Sequence, residues 1–338
     1  MQKEVFRLQV QEWSRALSNY REPIALRSFT ELVVTVPPFF LLFAIAWWAI
    51  SISPWLGLAL AAINALFLVR IFMIQHDCGH GSFFKSRRLG DWIGRTLSVL
   101  TITPYDVWRK SHATHHATSG NLDRRGTGDI PTLTVREYKQ RSWIGKTLYW
   151  LCRNPLCLFG LGPSYTFILL HRVPFGMMRA GWRHWGSVMV TNAVIAALIG
   201  ALLWFGGWQV IVFVYLPTVL LAASIGMWLF FVQHQFEDTS WDSEEGWKVQ
   251  DAAFHGSSYF LLPEPLRWFS ANIGAHHIHH LASRIPYYRL PEVLRDHEIL
   301  TRCNRLTLWQ SFRCARLHLW DEESRRLISF AEARAQAV

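Results

Sequence analysis

The sequence predicts an all-α integral membrane protein, with four transmembrane helices in two hairpins and a cytoplasmic helical cap that holds a histidine-rich metal site. Three observations support this fold class. Two long segments contain no Asp, Glu, Lys or Arg, and all 34 Lys and Arg residues lie outside them. Ten of the fifteen histidines fall in four tight groups. The order of these features along the chain defines its predicted parts.

The two uncharged segments run from Leu32 to Val69 and from Ser187 to Phe236. Each is too long for one membrane crossing and long enough for two, at about 20 residues per crossing. Turn-forming residues interrupt both segments, Ser51-Ile52-Ser53-Pro54 in the first and Gly206-Gly207 in the second. We therefore predict spans near residues 32–51, 55–75, 187–205 and 208–233.

The distribution of basic residues predicts the orientation. The formal net charge is +10, and the two short loops within the hairpins carry no Lys or Arg. By the positive-inside rule, both termini and the long middle segment face the cytoplasm, as expected for a bacterial inner membrane. Because the basic residues flank apolar spans, they indicate contact with the membrane surface and not with nucleic acid.

Five parts follow from these boundaries. They are a cytoplasmic N-terminal arm (1–31), hairpin one (32–75), a cytoplasmic cap segment (76–186), hairpin two (187–233) and a second cap segment (234–338). Within the middle part, residues 154–171 are apolar but broken by Pro and Gly. A fifth crossing there would separate the histidine groups across the membrane, so we expect this segment to lie in the interface.

The histidine groups predict a metal site. They are HDCGH with His76 and His80, HATHH with His112, His115 and His116, the lone His234, and HHIHH with His276, His277, His279 and His280. Residues three and four apart share one face of a helix. Imidazole suits iron, copper, nickel and zinc. The number of histidines exceeds the three or four ligands of one zinc ion and favours two metal ions. The remaining His171, His184, His297 and His318 are expected to be ordinary surface or interface residues.

Four stretches carry a family resemblance. They are HDCGHGSFF at 76–84, WRKSHATHHATSGNLDRRGTGDI at 108–130, FVQHQFEDTSW at 231–241 and NIGAHHIHHLASRIP at 272–286. In these stretches the sequence resembles the membrane fatty acid desaturases, specifically the acyl-lipid omega-6 (delta-12) type of bacteria and plastids. The likeness extends from about residue 30 to 300.

The resemblance implies a set of site residues. The expected ligands of two irons, which are also the expected catalytic residues, are His76, His80, His112, His115, His116, His234, His276, His279 and His280. The residues expected to orient these ligands are His277, Asp77, Glu237 and Asp238. Animal acyl-CoA relatives carry an Asn one turn before the lone histidine, and Phe230 occupies that place here.

The resemblance also implies an activity. It predicts insertion of a cis double bond into an acyl chain, with O2 as co-substrate, a di-iron centre and two electrons from a ferredoxin-like donor. The substrate would be an acyl-lipid or a carrier-bound acyl chain. Hydroxylation, acetylenic-bond formation and carotenoid oxidation on the same scaffold are open alternatives. Metal transport is disfavoured, because transport requires ionisable residues near the middle of the membrane and the predicted spans contain almost none.

Overall fold

The computed structural model describes residue 13 and residues 15–336, which are mostly helical. Residues 1–12, 14, 337 and 338 lie outside the described part, so the predicted arm of residues 1–31 is only partly represented. Three described stretches are long and apolar enough to cross a membrane, namely Ala25–Ala49, Pro54–His80 and Trp182–His234. Such helices are typical of an integral membrane protein.

The first two of these stretches are joined by a short turn. Helices α1 (Ala25–Val33) and α2 (Val36–Ala49) precede the turn, and helix α3 (Pro54–His80) follows it. Pro54 begins α3, a position where the missing N–H of proline costs nothing. Gly81 ends the helix with a φ of 69°, a left-handed conformation that glycine adopts readily. His80 is therefore held in the last turn of a helix with defined ends.

Five helices follow before the next long stretch. They are α4 (Arg87–Leu100), α5 (Tyr105–Thr118), α6 (Val135–Gln140), α7 (Trp143–Arg153) and α8 (Gly162–Ile168). Helix α4 packs along α3, and the Tyr105 ring of α5 lies close against Gly94 of α4. A Cβ at Gly94 would be only 2.3 Å from this ring, so the absence of a side chain there permits the contact. These contacts hold α5 beside the end of α3.

The third long apolar stretch, Trp182–His234, has a kink near its middle. Helix α9 (Trp182–Val210) leads through a π-helical turn (Ile211–Tyr215) into helix α10 (Leu216–His234). Gly207 has a φ of 69° and a ψ of −177°, which interrupts the helical geometry at the predicted Gly206-Gly207 turn. His234 is the last residue of α10.

The predicted interfacial segment, residues 154–171, is not one straight helix. A π-helical turn (Cys157–Leu161) precedes α8, and a 3-10 turn (Leu170–Arg172) follows it. The segment packs on the side of α10, where the centroids of the Phe159 and Trp228 rings are 4.7 Å apart. It is not among the three membrane-length stretches of the described chain.

The C-terminal part is a compact set of short elements. Its helices are α11 (Val249–His255), α12 (Leu266–Phe269), α13 (His276–Leu281), α14 (Leu290–Asp296), α15 (Leu308–Cys314) and α16 (Phe330–Ala335). The described residues also form five strands, β1 (Leu133–Thr134), β2 (Tyr259–Leu261), β3 (Arg305–Thr307), β4 (Leu319–Asp321) and β5 (Arg326–Ile328). Strand β4 pairs with β1 in parallel and with β5 antiparallel, and β2 pairs with β3 in parallel.

These strands depart from the all-α expectation. Each has only two or three residues, too few to show the alternating pattern from which strands are predicted. The pairing of β4 with β1 joins the C-terminal part of the chain to its middle part. The long apolar helices α1–α3, α9 and α10 are called the stem, and the shorter elements packed on their histidine-bearing ends are called the cap. The main hydrophobic core is continuous from the stem, with Phe39 and Leu68, into the cap, with Ile278 and Leu290. The histidines lie at this junction.

We expect Gly207→Ala to destabilise the protein. The φ and ψ of Gly207 lie in a region that is almost exclusive to glycine, so alanine there costs about 1–3 kcal/mol. Gly200→Ala is the matched control, because Gly200 is inside α9 and a Cβ there would contact nothing within 4 Å. Thermal unfolding in detergent should show a lower Tm for Gly207→Ala only. The same Tm for Gly207→Ala and Gly200→Ala would contradict the turn conformation assigned to Gly207.

Candidate metal centre

Nine histidines from four separate segments meet where the stem joins the cap. Two lie at the end of α3, three on α5, one at the end of α10 and three on α13, namely His76, His80, His112, His115, His116, His234, His276, His279 and His280. Helical spacing turns the histidines of each segment to one side. The fold thereby brings together residues that are far apart in the sequence.

Five of these side chains form the first group: His76, His80, His112, His116 and His279. The Nε2 atom of His112 lies 3.0 Å from the Nε2 atoms of both His76 and His80. The Nε2 atom of His116 lies 3.2 Å from that of His112 and 3.1 Å from that of His279. All five rings thus direct a nitrogen to one common position.

The other four histidines form the second group: His115, His234, His276 and His280. The Nε2 atom of His234 lies 3.1 Å from that of His115 and 2.9 Å from that of His276. His276 and His280 are separated by 3.1 Å between the same atoms. In each group all candidate ligand atoms lie within 4.8 Å of one another.

These separations fit nitrogen ligands around a metal ion. An imidazole nitrogen binds such an ion at about 2.1 Å, so two ligands at a right angle are about 3 Å apart. A neutral imidazole has one N–H and one lone pair, so converging nitrogens cannot all satisfy one another by hydrogen bonds. A cation at each position would satisfy every lone pair at once. Neither group, as the described residues form it, contains a carboxylate, and an all-imidazole set suits iron as well as copper, nickel and zinc.

Three of the rings are oriented through their other nitrogen. His115 Nδ1 lies 2.6 Å from Asp129 Oδ1, and His76 Nδ1 lies 3.0 Å from Asp77 Oδ1. His234 Nδ1 lies 3.1 Å from the carbonyl oxygen of Gly256. An N–H donated to these acceptors leaves the Nε2 lone pair free for a metal ion.

The electrostatics favour neutral rings. Burial lowers the pKa of five histidines outside the long apolar stretches well below the ordinary 6.5, and neighbouring imidazoles lower it further. These are His112, His116, His276, His279 and His280. Metal ligation requires the unprotonated imidazole. The rings are therefore already in the ligating form at neutral pH.

The four residues expected to orient the ligands have different surroundings in the structure. Asp77 contacts His76, as above. His277 is buried beside Phe254 and Tyr259, belongs to neither group, and bonds the Leu300 carbonyl at 3.0 Å. Glu237 and Asp238 are exposed, and Glu237 instead pairs with Arg326 at 3.0 Å.

Asp129 is a site residue that the sequence analysis did not single out. Its side chain is 4% exposed and contacts His115. It follows Gly126 and Gly128, whose φ values of 124° and 79° turn the loop back towards α5. The GTGD run was visible in the sequence, but several acidic residues lie nearby. Only the folded loop distinguishes Asp129 from them.

A cavity of about 440 Å³ opens on the histidines of both groups. Its walls come mainly from α3 and α10, with smaller contributions from α5 and α8, and it contacts His76, His112 and His276. The Trp108 ring stacks on His112 with ring centroids 4.8 Å apart and forms part of the wall. The volume lies in the range typical of small-molecule sites, about 300–1,000 Å³.

His171 also lines this cavity, although an ordinary surface or interface position was expected. Burial and the nearby charge of Arg172 lower its pKa to about 4. Phe230 lies against the second group, with ring centroids 5.1 Å from His115 and 5.3 Å from His234. Phenylalanine offers no ligand atom, so it supplies no counterpart of the animal Asn.

We expect Asp129→Ala to weaken metal binding by about 10- to 100-fold, because His115 loses the carboxylate that orients it. Asp123→Ala is a control from the same loop, since Asp123 accepts a bond from the Glu244 N–H and not from a histidine. Competition with a chelator measures both affinities. Equal affinities in the two variants would contradict the role of Asp129.

We expect the metal-free protein to lose stability as the pH falls below about 6.5. The folded-state pKa values of His112, His116, His276, His279 and His280 are depressed, so below the ordinary value the unfolded chain binds more protons than the folded chain. This contribution to stability is fully present above pH 6.5 and decreases as the pH falls towards the folded-state pKa values. Thermal unfolding from pH 8 to 5 with a chelator tests the sign. A Tm that rises on acidification would contradict it.

Comparison with known proteins agrees with this geometry. The fatty acid desaturase family model matches residues 53–310. The chain is 42% identical to a fatty acid desaturase of Bacillus subtilis over 94% of this chain and 90% of that protein. It is 31% identical to the sn-1 acyl-lipid omega-3 desaturase (ferredoxin) of Synechocystis over 65% of this chain and 61% of that protein. It is 26% identical to the sn-1 oleoyl-lipid 12-desaturase of Anabaena variabilis over 78% and 74% of the two chains.

The family match covers most of the chain and includes all nine clustered histidines. The Bacillus relative aligns over almost the full length of both proteins. Sequence comparison and site geometry therefore lead to the same assignment. The chain belongs to the fatty acid desaturase family of O2-dependent di-iron oxidoreductases, and its two histidine groups form a site suited to the two metals.

Proposed function

We propose that this enzyme introduces a cis double bond into the acyl chain of a membrane lipid, and that the cavity beside the histidines holds that chain. The observation that carries the proposal is the opening of one largely apolar cavity onto His76 and His112 of the first group and His276 of the second. An unactivated hydrocarbon has no polar handle at its reacting carbons. Its position must therefore be set by the shape of the walls.

The nine clustered histidines are proposed as the ligands of two irons, five around one ion and four around the other. When bound, the irons supply the oxidising power that removes two hydrogens from adjacent methylenes while O2 is reduced. The protein orients the ligands through Asp77 and Asp129. It also excludes bulk water with apolar walls, such as Phe72 and Met73.

We infer four membrane crossings in two hairpins, with the cap and both termini in the cytoplasm. Support comes from the break at Gly207, which divides the stretch Trp182–His234 into two pieces of roughly the length that one crossing needs. An even number of crossings places the ends of α3 and α10 on the same side of the membrane. The histidines at both ends then reach one common site.

The electron donor is proposed to be a small ferredoxin-like protein that binds the cytoplasmic face. The Synechocystis and Nostoc relatives are named as desaturases that use ferredoxin. The net charge of +10 suits an acidic carrier, because complementary charge increases the association rate.

The position of the double bond is a separate prediction. The delta-12 (omega-6) assignment rests on the family resemblance and on relatives named as 12-desaturases, which are 23–26% identical. Relatives named as omega-3 enzymes are 26–31% identical. Product analysis decides among these positions.

Expression in a host with a ferredoxin system, followed by gas chromatography and mass spectrometry of total fatty acids, tests the proposal. We expect a new unsaturated acid with the wild-type chain and none with His112→Ala or His279→Ala, because each loses a ligand of the first group. His184→Ala serves as the control histidine outside both groups. A hydroxylated or acetylenic product, or activity that persists in either ligand variant, would contradict the proposal.

A further inference from the structure

Arg70 lies inside the apolar helix α3, six residues before His76, within the predicted second span. Its side chain is 2% exposed. A charged residue at such a position is costly, and in membrane segments it usually has a partner and a function. The mechanism proposed above does not use Arg70.

The partners of Arg70 account for its burial. It forms an ion pair with Glu31 of α1, which is also 2% exposed. Its Nε donates to Thr35 Oγ1 at 3.2 Å, and its Nη1 donates to the carbonyl oxygen of Trp268. The guanidinium also lies over the Trp268 ring, 3.8 Å from the ring centroid. One cation thus joins α1, α3 and α12.

Glu31 extends these contacts to the histidines. It accepts a hydrogen bond from the Tyr287 hydroxyl at 3.1 Å. The backbone N–H of Tyr287 donates to Asp77 Oδ2 at 2.7 Å, and Asp77 Oδ1 lies 3.0 Å from His76 Nδ1. A buried series of contacts therefore leads from the ion pair to a ring of the first group.

Trp268, which contacts Arg70, and Tyr287, which contacts Glu31, lie on opposite sides of the fourth histidine group (HHIHH) in the sequence. Trp268 is eight residues before His276, and Tyr287 is seven residues after His280. Arg70 holds Trp268, and Glu31 holds Tyr287. Helix α13 between them supplies ligands to both groups, including His279 of the first.

We propose that Arg70 and Glu31 are a positioning pair, which holds the two flanks of α13 against α3 so that both metal groups assemble with the correct geometry. This inference rests on the proposed metal centre. A buried ion pair is weak evidence for added stability, since well-packed apolar residues often replace one without loss. The contacts with Trp268 and Tyr287 give the pair a specific role beyond stability.

The experiment must therefore separate a role in stability from a role in metal binding. Glu31→Leu alone leaves the buried Arg70 charge without its carboxylate, and Arg70→Met alone leaves the buried Glu31 paired only with the exposed Arg27, so either single variant is expected to be destabilised. The double variant Arg70→Met with Glu31→Leu removes both charges. Iron per chain, apparent iron affinity against a chelator, and Tm are measured for the purified full chain in detergent.

We expect the double variant to regain a Tm close to that of the wild type but to bind iron about 10- to 100-fold more weakly. Full recovery of iron affinity together with Tm would overturn the inference, because the pair would then be only structural. If the wild-type chain itself does not bind two irons, the proposed metal centre fails. The two failures are therefore distinguishable.

A second comparison uses two buried tyrosines. Tyr287→Phe removes only the hydroxyl that bonds Glu31. Tyr149→Phe removes a hydroxyl that bonds the His318 carbonyl at 2.5 Å in a separate hydrophobic cluster. We expect weaker iron binding in Tyr287→Phe and wild-type iron binding in Tyr149→Phe. Wild-type iron affinity in both variants would also contradict the positioning role.

Discussion

The structure depends on an electrostatic constraint at the junction of stem and cap. Nine imidazoles direct their Nε2 atoms to two positions, with neighbouring nitrogens about 3 Å apart. Burial opposes protonation of the rings of His112, His116, His276, His279 and His280, so their lone pairs cannot be neutralised cheaply by protons. Metal cations at the two positions resolve this conflict. The remaining architecture can be understood as the means of bringing four distant segments to these positions.

The stem and cap contribute differently to the site. The stem helices α3 and α10 end in histidines and provide much of the apolar cavity wall, so under the proposed function the same helices position both the substrate and the metals. The cap contributes α13 together with the loop that carries Asp129. Arg70 and Glu31 connect the two layers, because they join α1 and α3 to the residues that flank α13. Metal assembly and packing of the cap against the stem are thereby coupled.

Much of this site could be predicted from the sequence, for identifiable reasons. Helical spacing indicated that the histidines within each sequence group would face one point, and the family resemblance implied that nine of them serve two irons. The Gly206-Gly207 turn was recognisable because uncharged segments of this length need one. Spacing could not divide nine histidines into groups of five and four, since that division depends on tertiary packing. His279 and His280 are adjacent in sequence but belong to different groups.

Other features depend on contacts that a single sequence does not reveal. Glu237 and Asp238 stand near the clustered His234 in the sequence but are exposed, whereas Asp129 contacts the clustered His115 from a separate loop. Arg70 and Glu31 mark the two ends of the first uncharged segment, and their mutual pairing was not predicted. The short strands were also missed, because their pairing is set by distant partners and not by local pattern.

X-ray absorption spectroscopy at the iron edge of the purified, iron-loaded chain tests the central claim most directly. The account predicts two irons per chain, each with a first shell dominated by nitrogen and with the outer-shell scattering of several imidazole rings. A single iron per chain, or a first shell dominated by carboxylate oxygens, would contradict the assignment of the nine histidines to two metal positions.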